Sequence, residues 1–141
     1  MIKNILVALD TSEIASKVVA TLDELILSPD STVVFCHVFP TGDLEIELPS
    51  DRPHPESTAV AYFQVEKQLQ AYQENLSVKT ELELVTGDPA QEIIRLANIY
   101  QTDLIIIGSR GLTGVKRIVL GSVSNQVVEE ANCSVLVVKS N

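Results

Sequence analysis

The chain has 141 residues, 45% of them apolar, with a formal charge of −9 and two cysteines. That length is enough for one domain with its own core, and the apolar content excludes a disordered chain. The acidic balance argues against nucleic acid or anionic membrane as a partner, because phosphate surfaces are held mainly by Lys and Arg.

Residues 2–9 (IKNILVAL) read as a strand that is apolar on both faces. Asp10 interrupts this run, so it is neither a leader segment nor a membrane span, and a soluble, cytoplasmic protein is expected. Residues 13–27 carry Ile14, Val18, Leu22, Leu25 and Ile26 at helical spacing, and Ser28-Pro29 stops that helix. A second buried strand is predicted over 32–39 (TVVFCHVF). Pro40–Pro55 holds four of the six prolines together with Asp43, Glu45, Glu47 and Asp51, a long acidic loop. A helix over about 57–76 follows, with Val65, Leu69, Tyr72 and Leu76 on one stripe.

The third strand, 77–85, alternates Val78, Thr80, Leu82 and Leu84 with Lys79, Glu81 and Glu83, the pattern of an edge protected by charge. Asp88-Pro89-Ala90-Gln91 then opens a helix, with Asp as cap, Pro in the first position and Gln three residues after the cap. Its apolar stripe is Ile93, Leu96, Ala97 and Tyr100. Leu104–Ile107 is the fourth strand, residues 108–121 are rich in glycine, a short helix starts at Ser122, and 134–139 is the last strand.

This βαβαβαβαβ order predicts a single-domain α/β protein over residues 1–141, built on a doubly wound five-stranded parallel sheet. Ligands in such sheets sit beyond the carboxyl ends of the strands, here Asp10, Phe39-Pro40, Val85–Gly87 and Gly108. Cys36 and Cys133 show no metal-ligand spacing and read as buried, reduced thiols. His37 reads as a satisfied core histidine, His54 as a solvated loop residue, and Asp103 as a turn residue on the opposite rim. Neither histidine has a Ser or Cys nucleophile beside it at a strand end.

The glycine-rich stretch carries the strongest signal. Four of the six glycines fall at 108, 111, 114 and 121, between a buried strand and a helix start. Glycine there lets main-chain N–H groups approach a ligand, and the free N–H groups opening the helix at Ser122 and Ser124 favour an anion. Residues 108–125 contain Arg110, Lys116 and Arg117 and no acid, a +3 island on a chain that is otherwise −12. The spacing matches neither a Walker A loop nor Gly-x-Gly-x-x-Gly, and the stretch follows the fourth strand rather than the first.

Gly108-x2-Gly111-x9-Gly121-Ser122 resembles the nucleotide-binding pattern of the universal stress protein family, in its ATP-binding subclass. The flanking LIIIGSRG, GSVS and CSVLVVK, and the segments ILVALD and GDPAQEI, are similar to that family too. The resemblance implies an adenine nucleotide alpha-hydrolase-like fold with strand order 3-2-1-4-5. It implies Asp10 on the ribose hydroxyls, the Val38 main chain on the adenine edge, and Ile107 and Gly108 along base and ribose. Arg110, Gly111, Gly121, Ser122 and Ser124 would take the phosphates, with Val123 adding its N–H. Ala8 stands where some nucleotide-binding members have proline. The implied ligand is ATP or a related adenine nucleotide such as ADP or AMP, and whether Mg2+ accompanies it is left open by the sequence.

The expected function is a regulatory, stress-response binding module. A slow ATP hydrolase is the alternative, but Asp10 is the one carboxylate clearly at the switch point and is already assigned to ribose, so no catalytic residue is named. A flavin carrier would place its phosphate loop after the first strand, and a receiver domain would need an acid where Val85-Thr86-Gly87 stands. In the family's strand order the last strand is an edge with Val135–Val138 uncharged, and a homodimer through it is expected.

Overall fold

Five runs of apolar residues pair into one sheet. The computed structural model describes residues 2–10, 14–25, 27–40, 55–109 and 122–139. Its strands are β1 (Asn4–Ala8), β2 (Thr32–Pro40), β3 (Lys79–Gly87), β4 (Leu104–Gly108) and β5 (Ser134–Val138). The helices among the described residues are α1 (Ile14–Glu24), α2 (Pro55–Glu74), α3 (Pro89–Ile99) and α4 (Ser122–Glu130). Every strand pair is parallel and the order is β3-β2-β1-β4-β5. The fold class and the strand order are those expected. Residues 41–54 of the acidic loop lie outside the described residues, as do Arg110, Gly111 and Gly121.

Alternation along the strands divides the core in two. Ile5 and Val7 of β1 and Val33 and Phe35 of β2 meet Val18, Leu22 and Leu69 of α1 and α2 on one face. Leu6, Ala8, Val34 and Cys36 turn to the other face, against Ile93 and Leu96 of α3 and Val127 of α4. β1 and β4 are paired centrally, yet the helix that follows each lies on an opposite face, so the strand ends diverge between them. This is the switch point of a doubly wound sheet.

Element ends differ from the periodicity by a few residues, for local reasons. β1 starts at Asn4 because Ile2 and Lys3 are exposed, although the Lys3 carbonyl still accepts the Thr32 N–H at 2.8 Å. α1 stops at Glu24, where Leu25 N–H turns back to the Leu22 carbonyl at 3.1 Å, a tightened last turn. α2 closes in the same way, through Asn75 to Tyr72 and Leu76 to Gln73. β3 runs two residues past Val85, because Phe39 and Pro40 pair with Thr86 and Gly87.

Asp88 caps α3 as the sequence predicts, its Oδ2 accepting the Gln91 N–H at 3.0 Å, with Pro89 in the first turn. Gly87 just before it has φ +154°, and a Cβ there would stand 2.9 Å from Glu92 Cγ, so only glycine fits the turn from β3 into α3. Asp103 is more than a turn residue. Its Oδ2 accepts both the Lys3 and Asn4 N–H groups at 2.9 Å, joining the starts of β1 and β4. Both cysteines are free, but only Cys36 is buried; Cys133 is partly exposed, since it lies in the turn that precedes the edge strand β5.

Candidate functional site

The switch point forms a cleft. Ala8, Leu9 and Asp10 supply one wall as β1 ends, with Ile14, Ala15 and Val18 from α1 beside them. Cys36 and Val38 of β2 and Pro89 and Ile93 of α3 form the opposite side. Ile107 and Gly108 close β4, and Val123 and Ser124 open α4. The space amounts to about 600 Å³ when the open solvent at its mouth is included. Among the described residues the lining side chains are apolar except for Asp10, Ser124 and the Cys36 thiol.

Each wall follows from local sequence. Gly108 lets β4 and α1 close together, since a Cβ there would stand 3.1 Å from Ile14 Cδ1. Its glycine therefore has a packing reason beside the one read from the motif. Ser124 is buried, with its Oγ 3.4 Å from the Ser109 carbonyl, and Ser109 N–H donates to the Val138 carbonyl at 2.8 Å. These contacts fix the first turn of α4 against the end of β4. The helix dipole makes that turn the electropositive end of α4.

Among the described residues the one charged side chain in the lining is Asp10. Asp10 is partly exposed at the mouth. His37 is 5% exposed and its Nδ1–H donates to the Leu9 carbonyl at 2.8 Å. Burial holds its pKa below the ordinary 6.5, against the opposing pull of the Leu9 carbonyl and the Asp10 charge. The Cys36 thiol is pushed up to about 12, by burial first and then by the Glu83 carboxylate, so it is no nucleophile near neutral pH. Among the described residues there is no group of three or more His, Cys, Asp or Glu able to hold a metal, and no helix long and apolar enough to cross a membrane.

Of the residues singled out by sequence, Ala8, Asp10, Val38, Ile107, Gly108, Val123 and Ser124 come together around this one cleft. Ser122 is exposed at the helix start, outside the lining. Arg110, Gly111 and Gly121 fall outside the described residues. The apolar contributors Ile14, Ala15, Val18, Pro89 and Ile93 were missed, and the signal for them was available. α1 follows the end of β1 and α3 follows the end of β3, so the first turns of both helices must flank the strand ends.

A match to the universal stress protein family extends over residues 1–139. Universal stress protein MJ0531 of Methanocaldococcus jannaschii is 44% identical over 73 residues, a stretch covering 52% of this chain and 43% of that protein. The match thus spans less than half of that relative's own length. Among solved structures, hypothetical protein MJ0577 is 28% identical with a TM-score of 0.85, and the alignment covers 100% of this chain and 98% of the other. Two more share the fold. A universal stress protein in complex with cAMP is 18% identical with TM-score 0.70, covering 99% and 98% of the two chains. A family protein from Arabidopsis thaliana with AMP bound is 23% identical with TM-score 0.68, covering 99% and 92%.

Proposed function

Because the chain belongs to the universal stress protein family, we propose that its cleft holds an adenine nucleotide of the ATP type and that the protein acts as a cytoplasmic, regulatory binding module. The observation that carries this reading is what lines the cleft. An apolar slot between β1, β2 and β4 is lined also by the Asp10 carboxylate and by Val123 and Ser124 in the first turn of α4. A purine fits the slot, ribose hydroxyls can donate to Asp10, and phosphates suit the positive end of the α4 dipole at Val123 and Ser124. Adenine nucleotides bound to two proteins of the same fold support the ligand class. Arg110, Gly111 and Gly121 are assigned to the phosphates, with Ser122 beside them, on the sequence pattern. Mg2+ accompanying the nucleotide would neutralise phosphate charge; among the described residues no group of three or more His, Cys, Asp or Glu is placed to hold it.

Turnover has less support than binding. Among the described residues Asp10 is the one carboxylate in the lining, and a residue engaged with ribose does not also position a water on the terminal phosphate. We further infer a homodimer through β5, an edge strand whose Val135, Leu136 and Val137 are half-buried and uncharged. Titration calorimetry with ATP and GTP at matched Mg2+ tests the main reading. ATP should bind more tightly than GTP; no heat and no thermal shift with any adenine nucleotide at millimolar concentration would overturn it.

A further inference from the structure

The β1–β2 ladder stops before β2 does, since β2 runs on to Pro40. Their register ends at Ala8 and Cys36, and Leu9 N–H adds one more bond to the Cys36 carbonyl at 2.9 Å. In a parallel ladder, residues two apart on one strand face the same neighbour, so the next rung would run from Val38 N–H to the Leu9 carbonyl. That rung is not made. The Leu9 carbonyl instead accepts from His37 Nδ1 at 2.8 Å.

The side chains explain the direction of this separation. Cys36 and Val38 line the cleft, whereas His37 projects to the other face, where its ring meets Phe39 edge-on at 4.6 Å. The Leu9 carbonyl is therefore drawn toward the α1 face, and Val38 remains on the cleft side. A carbonyl cannot donate, so Nδ1 carries the hydrogen and the neutral ring suffices.

We propose that His37 is a positioning residue for base recognition: by holding the Leu9 carbonyl it ends the β1–β2 ladder one rung early and leaves Val38 N–H facing the cleft as a donor for a purine ring nitrogen. The identity of that acceptor rests on the adenine-nucleotide reading above; the opening of the ladder does not. Without the imidazole, the released carbonyl has a main-chain donor within reach, and satisfying both groups would consume the one intended for the ligand.

Amide hydrogen exchange on the ligand-free protein, read by NMR, tests the opening directly. In the wild type Val38 N–H should exchange at least tenfold faster than Leu9 N–H, which is bonded. In His37→Phe the rung should close, slowing Val38 exchange and weakening ATP about tenfold, the scale of one hydrogen bond. His37→Asn, which offers an N–H close to the place of Nδ1, should restore both values; a role in packing alone would not be rescued by the smaller side chain. A Val38 amide as protected as Leu9 in the wild type would overturn the proposal. So would a folded His37→Phe protein with unchanged Val38 exchange, or a His37→Asn protein that recovers neither. The exchange arm needs no nucleotide, so a wild type that binds none would reject the proposed function and leave the latch to be judged on Val38. Should His37→Phe fail to fold, the wild-type exchange rates and His37→Asn decide.

Discussion

Replacing Asp103 by Ala should show how much of the sheet's closure depends on one carboxylate. Its Oδ2 accepts the Lys3 and Asn4 N–H groups, both at 2.9 Å, from 100 and 99 positions away in the chain. Hydrogen bonds to a charged group contribute roughly 1.5–3 kcal/mol each when shielded. The Lys3 bond is exposed and the Asn4 bond only part-buried, so water recovers much of that, and a net loss of about 1–2 kcal/mol is expected. For a domain of this size that lowers Tm by about 3–8 °C. The same two donors, Asn4 first and then Lys3, hold the Asp103 carboxyl below its ordinary 3.8. A depressed folded pKa means stabilisation that is present above 3.8 and lost as pH falls through the lower folded value. Urea unfolding of both proteins, from pH 7 down to the lowest pH at which both stay folded, measures this. The wild-type advantage should be constant above about pH 5 and shrink in acid. An advantage below about 0.5 kcal/mol at pH 7, or one that does not diminish in acid, would refute the reasoning.

Asp10→Ala should weaken ATP by about tenfold or more if the carboxylate holds ribose hydroxyls, while binding of 2′,3′-dideoxy-ATP should change little; calorimetry with both ligands showing equal losses would reject the ribose role. For the dimer, light scattering should give about twice the 15.4 kDa chain mass, and Val137→Lys, which puts a charge on the β5 edge, should shift it toward one. A wild-type monomer at tens of micromolar, or a folded Val137→Lys protein that stays dimeric, would place any interface elsewhere.

The elements were legible because their signals are local. Alternation marked β3 as an edge strand, and Asp88-Pro89 announced α3 before its apolar stripe began at Ile93. Seven of the residues chosen from the sequence do line one cleft, because strand ends in a doubly wound sheet have nowhere else to converge. What was not legible depends on partners distant in sequence. Asp103 read as a turn residue since nothing near it reveals that it accepts from residues 3 and 4. His37 was expected to be satisfied, and it is, but its partner carbonyl lies 28 positions away and decides where the ladder stops. Gly108 was read for its approach to a ligand, and its contact with Ile14 became visible only with α1 in place.

The position of β1 has a consequence for how the chain is made. β1 is the central strand, and its residues Ile5–Ala8 pair with Leu104–Ile107. A nascent chain can complete β1, β2 and β3 while one side of β1 has no neighbour, and at about 5–20 residues per second that interval lasts several seconds or more. Throughout it, the backbone of a strand whose Leu6 and Val7 end up wholly buried presents an open flank to other chains. Arrival of β4, whose Leu104–Ile107 pair with Ile5–Ala8, closes the flank. The hazard of misassembly during synthesis therefore falls on the middle of the sheet rather than on either of its final edges.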